Sequence, residues 1–138
     1  MTYEETLHYL YTSIPVFQHS GASAYKPGLG TSIALDDYLG NPHKAYKTIH
    51  VAGTNGKGSV SHLLAAILRQ SGFKVGLYTS PHLVDFRERI RVNGKKISQD
   101  YVVDFVERHR SFFEPLHPSF FELTSSMAFE YFRDQQVD

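Results

Sequence analysis

Apolar positions along this chain fall into five stretches of helical period, separated by short β-branched runs and by breaks rich in glycine and proline. In the first stretch Leu7, Tyr11 and Ile14 share one face, with Tyr3 and Leu10 beside it. Thr2 and Glu5 have the spacing of a capping box, so the pattern predicts a helix over 2–13. Pro15, Gly21, Pro27, Gly28 and Gly30 then crowd too many breakers together for a regular element, which predicts a long loop from Pro15 to Gly30 of the kind that often carries function. A short helix is expected from Ser32 to Leu39, closed by Gly40-Asn41-Pro42.

The next stretch changes period. Thr48, Ile49 and Val51 make Lys47 to Ala52 a short β-branched run that ends at glycines, and a helical pattern follows at once through Val60, Leu63, Leu64, Ile67 and Leu68. Gly72 stops that helix, and Lys74 to Tyr78, with Val75 and Leu77, reads as a second strand. The expectation is a βαβ unit with parallel strands and a right-handed crossover. Beyond a loop from Thr79 to Phe86, Arg89–Val92 and Lys95–Ile97 flank Asn93-Gly94, a strong hairpin signal. Ser98 caps a helix with Tyr101, Val102, Phe105, Val106, Phe112 and Phe113 on its apolar face, which Pro115 and Pro118 end. A last helix runs from about Phe120 to Arg133 and draws its buried residues from Phe121, Met127, Phe129 and Phe132. Gln135 to Asp138 reads as a cut end, and there is no internal repeat or linker.

Composition narrows the chemistry. With 138 residues and 41% hydrophobic content, one domain with a buried core is expected, and 14 Lys+Arg against 14 Asp+Glu leave no net charge to draw in nucleic acid or an anionic membrane. An anion site must therefore be built locally. Absence of cysteine removes disulfides, thiolate catalysis and cysteine zinc sites. The start of the chain lacks the pattern of a signal peptide, and no window reaches the roughly 20 apolar residues of a membrane span, so a cytoplasmic protein is expected. His43, His109 and His117 show no metal-ligand spacing and are expected at the surface; His62 is expected as an ordinary helical residue.

Candidate chemistry centres on Ala52-Gly53-Thr54-Asn55-Gly56-Lys57-Gly58-Ser59, between the expected strand and the first turn of the helix. Gly53, Gly56 and Gly58 let the backbone turn tightly and approach phosphate oxygens, so that successive N–H groups and the positive helix start can face an anion. Lys57 adds a mobile charge for outer phosphates, and a nearby hydroxyl can reach a magnesium ion. The loop departs from the common phosphate-loop pattern, because Gly58 separates Lys57 from Ser59 and Val51 stands where a glycine is usual.

This variant loop resembles that of the Mur ligase superfamily, and in particular the first signature of folylpolyglutamate synthases and dihydrofolate synthases. Thr79-Ser80-Pro81-His82-Leu83, followed by Phe86 and Glu88-Arg89-Ile90-Arg91, resembles the second landmark of that family. Lys26-Pro27-Gly28-Leu29-Gly30 and Leu39-Gly40-Asn41-Pro42 resemble its N-terminal loop and helix, although Gly30-Thr31-Ser32 replaces the charged turn frequent there. Phe120-Phe121-Glu122-Leu123-Thr124 resembles a helix start that contacts substrate. Phe121 as ordinary core and Thr124 bonded to its own backbone remain the alternatives.

The resemblance implies a three-layer α/β ATP-binding domain of the Mur-ligase type, with residues 1–138 as its N-terminal part. The remainder of that domain, a magnesium-binding glutamate and a C-terminal domain are expected elsewhere. The implied activity is an ATP-dependent amide ligase that joins L-glutamate to a folate or dihydropteroate carboxylate through an acyl phosphate, with ATP and Mg2+ as cofactors and a monomer as the working form. Lys57 is the implied catalytic residue. Gly53 to Ser59 hold ATP, Ser80 and Ser59 hold the metal, and Gly28, Leu29, Gly30, His82, Phe121, Glu122, Leu123 and Thr124 meet the pterin substrate. Two other classes use a similar loop: a small-molecule kinase, which transfers phosphate with no amino-acid co-substrate, and a nucleotide-binding module with no turnover.

Overall fold

The computed structural model describes residues 1–14 and 28–138, so most of the expected loop, Lys26 and Pro27 included, lies outside the described residues. The elements in order are α1 (Tyr3–Ser13), α2 (Gly30–Tyr38), a 3-10 turn at Pro42–Ala45, α3 (Lys57–Gln70), β1 (Gly76–Tyr78), β2 (Ile90–Val92), β3 (Lys95–Lys96), α4 (Gln99–Phe113) and α5 (Phe120–Asp134). They divide into two units. Met1–Asn41 with Gln99–Met127 forms the first, and Pro42–Ser98 with Ala128–Asp138 the second.

In the first unit the local signals act where they stand. The Thr2 side chain accepts from the Glu5 N–H and the Glu5 carboxylate accepts from the Thr2 N–H, which satisfies two of the donors that a helix start leaves over. Leu10, Leu35, Val102, Phe105, Val106, Phe113, Leu123 and Met127 are fully or almost fully buried and form the core of this unit. Tyr38 stacks on Phe112 with ring centroids 3.9 Å apart. His109 is half-buried with its ring edge against Tyr38 and Phe105, which corrects the expectation of a surface histidine.

In the second unit the hairpin forms as its turn residues demand. Asn93 (φ 48°) and Gly94 (φ 81°) both take the left-handed conformation that a two-residue turn requires, and β2 pairs antiparallel with β3. The Asn93 Oδ1 accepts from the Val75 N–H at 2.9 Å while the Asn93 N–H donates to the Val75 carbonyl at 2.9 Å, which fixes β1 beside the turn. Phe86, Ile90, Ile97 and Ala128 are buried. His43 is half-buried against the ring of Phe129, again where a surface residue was expected.

The expected βαβ unit does not close. Among the described residues the sheet has three strands, all antiparallel, in the order β1-β2-β3, and Lys47 to Ala52 forms no strand. The reason lies in Asp138. Its N–H donates to the Lys74 carbonyl at 2.8 Å and its own carbonyl accepts from the Lys47 N–H at 3.1 Å, so its backbone stands between the two segments that were expected as neighbours. A strand is defined by its partner's backbone groups, and among the described residues Lys47 to Ala52 meets only this one rung. The helix α3 carries the consequence: Val60, Leu63 and Ile67, on its expected apolar face, are 46%, 64% and 61% exposed, and no residue of the helix is buried. No helix among the described residues is long and apolar enough to cross a membrane.

Candidate functional site

The start of α3 is built unlike the start of α1. Its N-cap is Gly56, left-handed at φ 79°, with no side-chain cap, and its first turn contains no acidic residue. The first intrahelical bond runs from the Val60 N–H to the Gly56 carbonyl, so the N–H groups of Lys57, Gly58 and Ser59 have no acceptor within the helix. Where α1 neutralises its positive end with Thr2, Glu4 and Glu5, α3 leaves that end to the solvent. Every residue from Gly53 to Ser59 is exposed. Gly53 takes φ 149°, and an added Cβ at Gly56 or Gly58 meets nothing within 4 Å, so the loop keeps its glycines for backbone conformation and open approach, not for packing. The Lys57 Nζ donates to the Gly53 carbonyl at 2.5 Å, folded back over the mouth of the turn. This arrangement suits an oxyanion with several oxygens: fixed N–H donors on one side and a mobile ammonium on the other.

The second landmark follows β1. Thr79 donates its N–H to the Arg89 carbonyl at 3.0 Å and closes the base of a loop that contains Ser80, exposed, and the cis Ser80-Pro81 peptide. Lys47 and Lys74 are both bonded to Asp138, and Gly53 and Ser80 lie at equal distances along the chain beyond them. Inside the loop the Glu88 carboxylate accepts from three backbone N–H groups, those of Leu83 (3.0 Å), Val84 (3.2 Å) and Asp85 (2.8 Å). The side chains of Leu83 and Val84 are 90% and 91% exposed, so this carboxylate orders the loop where packing does not. The Leu83 N–H, then that of Asp85, hold the Glu88 carboxyl below its ordinary value. A folded-state value that is depressed contributes stability above the ordinary glutamate value and loses it as the pH falls through the folded one. Glu88→Gln is expected to speed amide hydrogen exchange at Leu83, Val84 and Asp85 at neutral pH, and in the wild type acid is expected to lower the protection factors of the same amides relative to their intrinsic rates at each pH. Unchanged protection in the variant removes Glu88 as the clamp.

Asp85 caps the 3-10 turn at Phe86–Arg89. Burial raises its carboxyl, but the N–H and guanidinium of Arg87, with Lys96, outweigh that and set it below the ordinary range. His82 is half-buried, edge-on to Phe86, and its Nδ1 accepts from the Nε of Arg89 at 2.7 Å. Burial lowers the imidazole pKa, and the charge of Arg89 lowers it further. Sequence reasoning missed the Glu88 clamp, although Asp85 and Glu88 have capping-box spacing and both side chains are used that way. It also missed Asp138, for which no local pattern exists.

The expected substrate residues of the first unit stand as follows. Gly28 (φ 81°), Leu29 and Gly30 are exposed at the start of α2, Leu29 at 70%. Phe121 is 58% exposed, so it is not core; Phe120 is the buried ring of the pair. The Glu122 carboxylate accepts from the Ser119 N–H and the Ser119 Oγ accepts from the Glu122 N–H, both at 3.1 Å, a capping box for α5. Leu123 and Thr124 are fully buried, and the Thr124 hydroxyl donates to the Phe121 carbonyl at 3.3 Å.

No family model matches the chain. It is 40% identical to the dihydrofolate synthase/folylpolyglutamate synthase of Bacillus subtilis over 79% of its length and 27% of that protein. A folylpolyglutamate synthase from Thermotoga maritima superposes with TM-score 0.86 at 45% identity over 99% of the chain, and a folylpolyglutamate synthase–AMPPCP–folate complex does so with TM-score 0.83 at 34% identity over all of it. The chain spans only 31% and 34% of those two solved chains. Loop and likeness together define an α/β protein of the phosphate-loop, Mur-ligase type. The chain belongs to the folylpolyglutamate synthase and dihydrofolate synthase family.

Proposed function

We propose that this chain supplies the phosphate-gripping part of the ATP-binding domain of an ATP-dependent ligase that joins L-glutamate to a folate or dihydropteroate carboxylate. The observation that carries the reading is the uncapped, glycine-lined start of α3 with Lys57 in its first turn. The relatives' names and the solved complex with AMPPCP, an ATP analogue, and folate support it.

In this reading the N–H groups from Asn55 to Ser59 cradle the β and γ phosphates, and Lys57 swings from the Gly53 carbonyl to the γ-phosphate. A substrate carboxylate oxygen attacks the γ-phosphorus and the bond to ADP breaks, which leaves an acyl phosphate. The glutamate nitrogen then attacks the acyl carbon, loses a proton and expels inorganic phosphate. The protein's contribution is position and charge. Magnesium fits in part: Ser80 and Ser59 offer exposed hydroxyls, but no group of three or more carboxylate or imidazole side chains that could hold a metal exists among the described residues. A hard cation held here would lean on nucleotide oxygens and water for its remaining ligands, with charge neutralisation at the phosphates as its chemistry. Leu29 and Phe121, the exposed apolar residues of the expected pterin set, are the surfaces offered to an aromatic substrate. The same reading takes a monomer in the cytoplasm.

The test is phosphate release, followed with ATP, Mg2+ and a folate or dihydropteroate substrate, with and without L-glutamate, in the protein that carries this chain. Release that requires glutamate is expected. Phosphate transfer indifferent to glutamate favours a kinase, and ATP binding without turnover favours a binding module. In the same assay Ser80→Ala is expected to raise the Mg2+ concentration for half-maximal rate with little change in Tm; an unchanged Mg2+ dependence returns Ser80 to turn formation alone.

A further inference from the structure

The pair Arg89–His82 sits in the loop beyond β1, and the chemistry proposed for the glycine loop makes no use of it. Arg89 is 5% exposed, a burial that long cationic side chains rarely show without a partner, and its Nε meets the His82 Nδ1 at 2.7 Å. Arginine carries only donors and keeps its proton throughout the ordinary pH range. The nitrogen that faces it must therefore present a lone pair, and the ring proton stands on Nε2. Three features hold the ring in that orientation: Phe86, fully buried, lies edge-on at 6.2 Å between centroids; the Arg89 carbonyl accepts from the Thr79 N–H across the loop base; and Glu88 gathers the amides of the three residues after His82.

We propose that Arg89 is a positioning residue that fixes His82 as the tautomer protonated at Nε2, so that this loop offers a hydrogen-bond donor and not a proton acceptor. That tautomer has both nitrogens committed: Nδ1 receives the guanidinium, and Nε2 already carries its proton. His82 thus takes no proton during amide formation, and the glutamate amine must lose its proton to another group. This second part rests on the ligase reading above; the tautomer does not.

The tautomer is read directly in the wild-type chain labelled with 15N-histidine, by long-range proton–nitrogen correlation NMR, with His82→Gln identifying the His82 signals. A bare Nδ1 and a protonated Nε2 are expected, and a proton on Nδ1 overturns the proposal. Arg89→Met removes the donor, and the His82 signals are expected to move toward the mixed tautomers of an exposed histidine. A pure Nε2–H form in a folded Arg89→Met chain ends the positioning role. If that variant does not fold, the Arg89 Nε–H of the wild type answers instead: slow exchange with water is expected, and exchange as fast as that of an exposed arginine overturns the pairing. For the donor role, the glutamate-dependent phosphate release of His82→Gln is compared with that of His82→Leu. Glutamine places N–H donors at similar reach and cannot act as a base. It is expected to keep most of the rate that leucine loses, whereas a loss of about a hundredfold or more with glutamine, the worth of a general base, overturns it. Absence of glutamate-dependent release in the wild type defeats the ligase reading and leaves the tautomer measurement standing.

Discussion

Lys57→Ala is expected to lower kcat for glutamate-dependent phosphate release by about a hundredfold or more while the fold stays intact. In the proposed reading the Lys57 ammonium moves to the γ-phosphate, where it has its greatest value as charge moves onto the bridging and equatorial oxygens, and loss of one such contact costs roughly 3–4 kcal/mol of transition-state stabilisation. The structural cost is small by comparison. Lys57 is exposed, and its one described side-chain bond runs to the Gly53 carbonyl, itself at an exposed turn. Alanine is at least as good a helix former at this position. Rate and stability should therefore separate: a large fall in kcat, with Tm almost unmoved. A variant with near-normal kcat refutes the role of Lys57, and a collapse of Tm to match the rate turns the residue into a structural one.

What the sequence made legible was local. The capping box of Thr2 and Glu5, the Asn93-Gly94 turn and the glycine loop at the head of α3 are each decided by residues within one short segment of the chain, and each stands where the pattern placed it. The strand Lys47 to Ala52 failed because a strand is a property of neighbours. Its β-branched residues show only willingness to be extended, and the backbone beside Lys47 belongs to Asp138, far along the chain. The same limit explains the Phe120-Phe121 pair, where adjacent identical rings differ only in which side of α5 each occupies, and one is buried while the other is 58% exposed. It explains Glu122 as well: a carboxylate in the right place for a ligand was equally in the right place to cap its own helix, and its bonds with Ser119 show that use. The histidines misled for a related reason, since no spacing rule reports that an aromatic ring from a distant helix will lie against His43 or His109.

Gly76→Ala is expected to destabilise the chain and to impair the site through β1. A Cβ at Gly76 would stand 2.6–2.8 Å from Cδ1, Cε1 and Cγ of Phe132, closer than carbon atoms can pack. The ring cannot simply turn aside, because Cγ is fixed close to the backbone of α5, the side chain is 6% exposed, and Tyr46 and Tyr131 lie against it at 6.2 and 6.4 Å between centroids. Two effects oppose each other. Alanine restricts the unfolded chain, which favours folding by about 0.4–1 kcal/mol where the native conformation tolerates it. Overpacking of a filled site costs about 1–3 kcal/mol. The clash wins, and at about 2–4 °C per kcal/mol for a chain near this size the fall in Tm should be a few degrees. Gly76 pairs with Val92 at the start of the strand whose far end delivers Ser80, so displacement of β1 should also raise the Mg2+ requirement proposed for that serine. Phe132→Leu supplies the control. It leaves a cavity and destabilises alone, but it removes the ring atoms that alanine meets, so the double variant should lose less than the two single losses added together. Strict additivity in thermal unfolding would mean that the ring and the strand do not press on one another, and with that the account of why position 76 carries no side chain would fall.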